Sequence, residues 1–355
     1  MPPPAPGHDQ TTTPLVPSCI FRHKLKLKRP SSEPKSPNSI HPTPKPTPSP
    51  QSDLPPLSPS LPCPHGIHKP LPDHVIEQDF ASLYQAIVNH VLRYYSTKTG
   101  RKGVSQYSLE HATVGMRISW IHLMSLLGDE KTRHAALALC IAFTILSRSL
   151  LLKLGLSNNP GSTFLPPEIV ECFQSFSTGL MAVMDGSHGH GQVHFGLLSR
   201  WKIISATLMH ATYVRDAFSP FDSRTINIER ALKDLDPLLH TYALFSHGDD
   251  NARLADLRDV LRSGAKFAFT LFSQPCFWEW DWASEAPSRN EAKAIPQSFC
   301  SKIALKRSSS TTSLNASDLV LWPSLRRVVD RDGHHIDPDS PDSVLSKKKY
   351  LHDFP

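Results

Sequence analysis

The chain of 355 residues lacks the short signatures by which many enzymes disclose their chemistry. It has no GxSxG nucleophile elbow, no GxxxxGK to cradle a phosphate, no HExxH for zinc and no GxGxxG between a strand and a helix. Catalytic groups can also be assembled in space from distant positions, so enzymatic activity stays undecided. Framework cysteine spacing is missing too. Cys19, Cys63, Cys140, Cys172, Cys276 and Cys300 are scattered, and two of them fall among apolar residues of predicted helices, which points to reduced thiols. The opening MPPPAPGHDQ has no apolar core of a secretory signal. No uncharged run is long enough for a membrane span. The longest candidate, Ala135 to Ser147, stops at Arg148, short of the roughly 20 residues a bilayer demands. These absences together predict an intracellular protein of the cytoplasm or nucleus with no transmembrane helix.

Acidic and aromatic residues are scarce in the first 72 positions, and proline abounds there. Of the 33 prolines, 21 precede Asp73. Such a composition buries too little apolar surface to offset chain entropy, so residues 1–72 are expected to form a disordered, basic, proline-rich tail. Eight Lys/Arg against three Asp/Glu give this region 8 − 3 = +5 of the chain's +6. The remainder is near neutral and carries no clear nucleic-acid signal. Within the tail, RHKLKLKR places Arg22, Lys24, Lys26, Lys28 and Arg29 around Leu25 and Leu27, a pattern that suits a nuclear import signal, a kinase-docking peptide or a solvated basic run. Ser36, Thr43, Thr47, Ser49 and Ser58 each precede proline and are candidate phosphosites; phosphates there would cancel the tail's positive charge. Cys63, His65 and His68 could ligate a metal, but no fourth ligand follows at plausible spacing.

From Asp73 the spacing turns helical. Ile76, Phe80, Leu83, Ile87, Val91 and Tyr95 recur at intervals of three or four, with Asp73 as the expected cap. A second helix is predicted near Tyr107 to Leu127. The most apolar stretch, Arg133 to Leu156, is predicted as one buried central helix, capped by Thr132 and stopped by Gly155. Pro166 and Pro167 suit the start of a fourth helix with Ile169, Cys172, Phe173, Phe176, Leu180 and Val183 on its inner face. Leu197, Trp201, Ile204, Leu208 and Ala211 mark the inner face of a fifth. Ile228 to Tyr242 gives a sixth, which Pro237 should kink or split at Asp236, and Leu254 to Phe272 a seventh, where Gly264 admits a close neighbour. The predicted fold is all-α: a single bundle of about seven helices spanning 73–275 around a buried central helix.

Between the fourth and fifth helices lies GSHGHGQVHFG. His188, His190 and His194 could converge on one metal, although its glycines also make an ordinary loop. Beyond the bundle, Cys276 to Trp282 alternates aromatics with acids and reads as an extended strut laid aromatic side inward, or else as an exposed aromatic platform. Leu319 to Ile336 with its Asp332-Gly333 turn predicts a small β-hairpin, so that 276–336 packs on the bundle and 337–355 ends as a disordered polar tail.

IVNHVLRYYS (Ile87 to Ser96), GSTFLPPEI (Gly161 to Ile169), FSQPCFWEWDW (Phe272 to Trp282) and LVLWPSL with its Asp-Gly turn (Leu319 to Gly333) resemble segments of a group of uncharacterised proteins of filamentous ascomycete fungi. The resemblance implies a helical domain with a C-terminal extension and brings no activity or catalytic residue. No cofactor is implied. The leading expectation is a non-enzymatic interaction or regulatory protein that binds protein partners and carries a phosphorylation-tuned arm. A metal-dependent enzyme using His188, His190 and His194 is the alternative. A peripheral membrane protein, attached through Arg22 to Arg29 and Trp278 to Trp282, is another.

Overall fold

The computed structural model describes residues 67, 69–98, 105–113, 115–116, 118–155, 162–184, 195–244, 250–283 and 319–355, with backbone alone at 108, 111, 155 and 177–184. Among them the chain is mostly helical, with a small antiparallel strand set towards the C-terminus. The helices are α1 (Asp73–Tyr94), α2 (Gln106–Ala112), α3 (Trp120–Gly128), α4 (Arg133–Leu146), α5 (Leu151–Gly155), α6 (Pro167–Met184), α7 (Phe195–His210), α8 (Arg224–Leu239) and α9 (Asp250–Ser273). A single π-helical turn, Ala211–Arg215, extends α7.

The apolar centre is where the sequence put it, but it is broken. Every residue of α4 except His134 is buried. The predicted single helix to Leu156 instead ends at Leu146 and resumes as α5, because polar side chains just beyond take the last carbonyls. Ser149 Oγ donates to Ile145 O at 2.6 Å, and the Arg148 guanidinium donates to Thr144 O at 3.0 Å and to Asp234 at 3.3 Å. Thr132 does not cap α4 through its side chain; its hydroxyl donates to Leu126 O at 2.7 Å. The start of α4 is organised by Arg133, 1% exposed, whose guanidinium donates to the carbonyls of Leu127, Gly128, Thr97 and Lys98 and so closes the ends of α3 and α1. The second predicted helix is also split, into α2 and α3, around Gly115 at φ +84°, and Ser119 restarts it by accepting from the His122 amide at 3.2 Å. At the start of α1 the cap position belongs to Pro72 rather than Asp73, whose carboxylate pairs with Arg327 at 2.6 Å. Pro237 does not split α8. It sits in the last turn, where the bond it forfeits lies near the helix end.

Helix α9 packs against α1, α4, α7 and α8. Gly264 brings it onto α4: a Cβ there would lie 2.4 Å from Ile145 Cγ2. The predicted strut is strand β1 (Phe277–Asp281). A register shift between Phe277 and Trp278 puts both side chains inward, with Trp280 also buried and Glu279 out. Trp280 Nε1 donates to Leu146 O at 2.9 Å, tying the strand to the end of α4. These rings are core rather than an exposed platform. Phe80 of α1 meets Trp280, Trp322 and Phe267 with ring centroids 5.2, 4.6 and 5.4 Å apart.

The expected hairpin takes a different pairing. Strands β2 (Val320–Trp322) and β3 (Ser324–Val329), adjacent in sequence, do not pair with each other. β3 runs antiparallel to β1, and β2 pairs with β4 (Lys349–Tyr350). Only a short return survives at the Asp332-Gly333 turn, with Val329 bridged to His335 and Gly333 at φ +92°. The segment 337–355, expected as a polar tail, contains β4. Leu351 within it is buried, with its amide donating to Leu319 O at 2.9 Å.

Candidate functional site

His188, His190 and His194, Cys63, His65 and His68, the basic run from Arg22 to Arg29, and Ser36, Thr43, Thr47, Ser49 and Ser58 all lie outside the described part of the chain. Among the described residues, no group of three or more His, Cys, Asp or Glu is placed to hold a metal, and no helix is long and apolar enough to cross a membrane. The described cysteines are free. Cys140 and Cys276 are buried, whereas Cys172 is exposed; burial pushes the Cys140 thiol up to about 12.

Three buried polar clusters stand out. The first joins α1 to α9. His90, 1% exposed, contacts Asp256 through Nδ1 at 2.6 Å and Tyr95 Oη through Nε2 at 3.1 Å. Arg253 donates to Tyr95 Oη at 3.4 Å, to Asp236 at 2.6 Å and to Asp250 at 2.8 Å. Burial lowers the His90 pKa, and the Arg253 charge adds to this; together they outweigh Asp256. A neutral imidazole satisfies the network, with Nδ1–H donated to the carboxylate and Nε2 accepting from the phenol. The order Asp256, His90, Tyr95 is that of a proton relay, but Tyr95 is 1% exposed and its hydroxyl is shared between His90 and Arg253, leaving no face for a substrate. The cluster therefore acts as a staple between helices.

In the second cluster, Arg224 and Asp222 are both fully buried and paired at 2.7 Å. Arg224 also donates to Tyr213 O and Ala265 O and lies over the rings of Tyr213, Phe218 and Phe269. The turn that carries Asp222 holds Phe218 at φ +63°, a conformation fixed here by Asp222 accepting from the Phe218 amide at 2.8 Å.

The third belongs to α7, and it reverses an expectation. The face predicted to be core points outward: Leu197 is 59%, Ile204 47% and Leu208 79% exposed, with Ala211 exposed beyond them and Trp201 half-buried. The face turned inward is Leu198, Ser199, Lys202 and Ala206. Lys202 donates to Cys276 O and sits 4.2 Å from the Phe277 ring, and burial drives its amine down to about 7. The inner face of α6 is likewise partly reversed. Ile169, Val170 and Phe173 are buried, while Cys172 is exposed and Phe176 is 38% exposed. Phe176 meets Trp201 edge-on at 5.5 Å, so the outward apolar side chains of α6 and α7 are continuous.

None of the buried Arg, Lys and His side chains was foreseen, although a signal existed. Arg253 falls on the same three-to-four spacing as Leu257, Leu261 and Gly264, and His90 on that of Leu83, Ile87 and Tyr94, positions that only core residues should share. No protein family matches the chain, and neither a curated protein nor a solved structure resembles it.

Proposed function

We propose that this is a non-enzymatic interaction protein whose helical domain, residues 73–275 organised around α4, docks a protein partner on the outward face of α6 and α7. The observation that carries the reading is the apolar row Leu197, Ile204 and Leu208, joined through Trp201 to Phe176 and exposed to water in this chain. Exposed apolar surface of this continuity is a mark of interaction sites. The row has the spacing of a helix face, which suits a partner presenting its own apolar helix. Arg200 lies on the same exposed face between Leu197 and Ile204, so the partner is expected to place a carboxylate at that rim. The proline-directed sites and basic run of residues 1–72 supply a phosphorylation-tuned arm in the same reading.

A photoreactive amino acid in place of Arg200 tests the site in the native cell. One partner protein should be crosslinked; Ile204→Asp and Leu208→Asp should abolish the adduct with the circular dichroism unchanged, and deleting residues 1–72 should alter its yield. An adduct that persists in both aspartate variants, or that joins two copies of this chain, rejects the proposed docking. An unchanged yield after the deletion removes the arm from it.

A further inference from the structure

The turn between α7 and α8 presents a serine that its surroundings leave free. Residues 216–222 read DAFSPFD, and Ser219-Pro220 is one of two Ser/Thr-Pro pairs among the described residues. The backbone of Ser219 is committed: its amide donates to Asp216 O at 3.2 Å, and its carbonyl accepts from the Asp222 amide at 2.9 Å. Its hydroxyl makes no hydrogen bond among the described residues. Pro220 and Phe221, next in the chain, stand out in solvent, Phe221 at 86% exposure. Ser223, four residues on, is by contrast held by the Tyr213 hydroxyl at 3.0 Å and by Glu168 at 3.2 Å.

A kinase cleft has to receive the acceptor hydroxyl, and so the turn has to open locally. Opening 217–221 breaks the two backbone bonds and the 2.8 Å bond from the Phe218 amide to Asp222, groups that water takes over on an exposed turn. It also releases Phe218 from φ +63°, a conformation costly for a bulky side chain. The buried pair of Asp222 and Arg224 lies outside the opened stretch and stays closed. Charge favours the same site. Asp216 is paired with Arg215 and Asp222 with Arg224, while Lys266, 5.7 Å from the centre of the Phe218 ring, has no carboxylate partner among the described residues. The other pair, Ser340-Pro341, differs on both counts. Ser340 Oγ accepts from the Asp342 amide at 3.3 Å, and its neighbours in sequence are Asp337, Asp339 and Asp342, like charges to a phosphate. We infer that Ser219 is a phosphorylation site of the folded domain, modified by a proline-directed kinase. Ser219 Oγ attacks the γ-phosphorus of ATP; the new O–P bond forms as the bond to the bridging oxygen breaks, ADP leaves, and the hydroxyl proton passes to the kinase's catalytic base. The product adds close to two negative charges to the turn that follows α7. This site depends neither on docking at the outward face of α7 nor on the sites of the tail.

The folded full-length protein is incubated with ATP and a purified proline-directed kinase whose activity is verified on a Ser-Pro peptide. Trypsin then releases the fragment from Asp216 to Arg224, which holds both Ser219 and Ser223, and its fragmentation in the mass spectrometer places the phosphate. Ser219 should be phosphorylated and Ser223 left unmodified. Ser340 should react about tenfold more slowly, its hydroxyl engaged and its flanks acidic. Pro220→Ala, at an exposed position, should cut the rate at Ser219 by about tenfold or more, because it removes the side chain by which such a kinase selects its substrate. A fragment without phosphate while the control peptide reacts, a phosphate on Ser223 in place of Ser219, an equal or faster reaction at Ser340, or an undiminished rate in Pro220→Ala overturns the assignment.

Discussion

His90 shows how one side chain couples two helices to the proton concentration. Its imidazole is enclosed by α1 and α9, with Asp256, Arg253 and Tyr95 as the polar groups around it. Burial and Arg253 favour the neutral ring, so its pKa in the folded chain lies below the ordinary 6.5. A depressed value means that the unfolded chain binds the proton more readily. The stabilisation is therefore fully present above the unfolded pKa near 6.5 and is lost as the pH falls through the lower folded value. Urea midpoints measured from about pH 7.5 down to about pH 4.5 should fall faster for the natural protein than for His90→Gln, which cannot titrate. Parallel curves would mean that folding does not shift His90 at all, and a natural protein that gained on His90→Gln as the pH fell would mean that His90 is charged in the folded state and ion-paired with Asp256. Arg224 follows a different rule. Its partner Asp222 is as buried as it is, and pair and carbonyls together leave that cluster satisfied.

At the scale of elements, periodicity was a sound guide to which segments are helical and a poor one to which side faces inward. The spacing in α1 and α9 identified their buried faces, because each has one apolar stripe against a polar remainder. Helix α7 has apolar residues on both sides. Leu198 and Ala206 went inward with Lys202, and the more regular row of Leu197, Ile204 and Leu208 went out, a choice that periodicity alone does not decide. The break after α4 was hidden for another reason: it depends on Arg148 and Ser149 capturing carbonyls, a competition without a sequence period. The pairing of β3 with β1, about 45 residues earlier in the chain, rather than with its neighbour β2, is a long-range choice of the same kind. Gly264, by contrast, was legible. Replacing it with alanine sets two effects against each other. Helix propensity favours alanine by about 1 kcal/mol, whereas forcing a methyl against Ile145 costs about 1–3 kcal/mol. With Ile145 Cγ2 only 2.4 Å from the new carbon, the clash should prevail, and Gly264→Ala should lower the urea midpoint. Combined with Ile145→Ala the loss should be less than additive, since the methyl then fills part of the vacated space. Strict additivity would place the strain elsewhere.

At the scale of the molecule, the helices and the C-terminal strands share their aromatic core instead of meeting at a surface. Phe80 of α1 stacks with Phe267 of α9 and Trp280 of β1, and Trp322 of β2 packs on Phe80 and on Tyr84, 5.4 Å from the latter. Trp280 then reaches the end of α4 through its indole N–H, and Gly333 at the strand turn lies so close to the start of α7 that a Cβ would come 2.3 Å from Gly196 N. Removing the strands would expose rings from the central helices, so neither part should keep its packing alone. The described region should therefore unfold in one cooperative step. Tryptophan fluorescence is weighted towards Trp278, Trp280, Trp282 and Trp322 in or beside the strands, although Trp120 and Trp201 on the helices also contribute. Far-ultraviolet circular dichroism reports mainly helix. Urea transitions followed by the two signals should superimpose, with one midpoint and one slope. If fluorescence shifted at lower urea while helicity held, the strands would be an appendage on a self-sufficient bundle, and the aromatic cluster would contribute less to the core than its ring contacts imply.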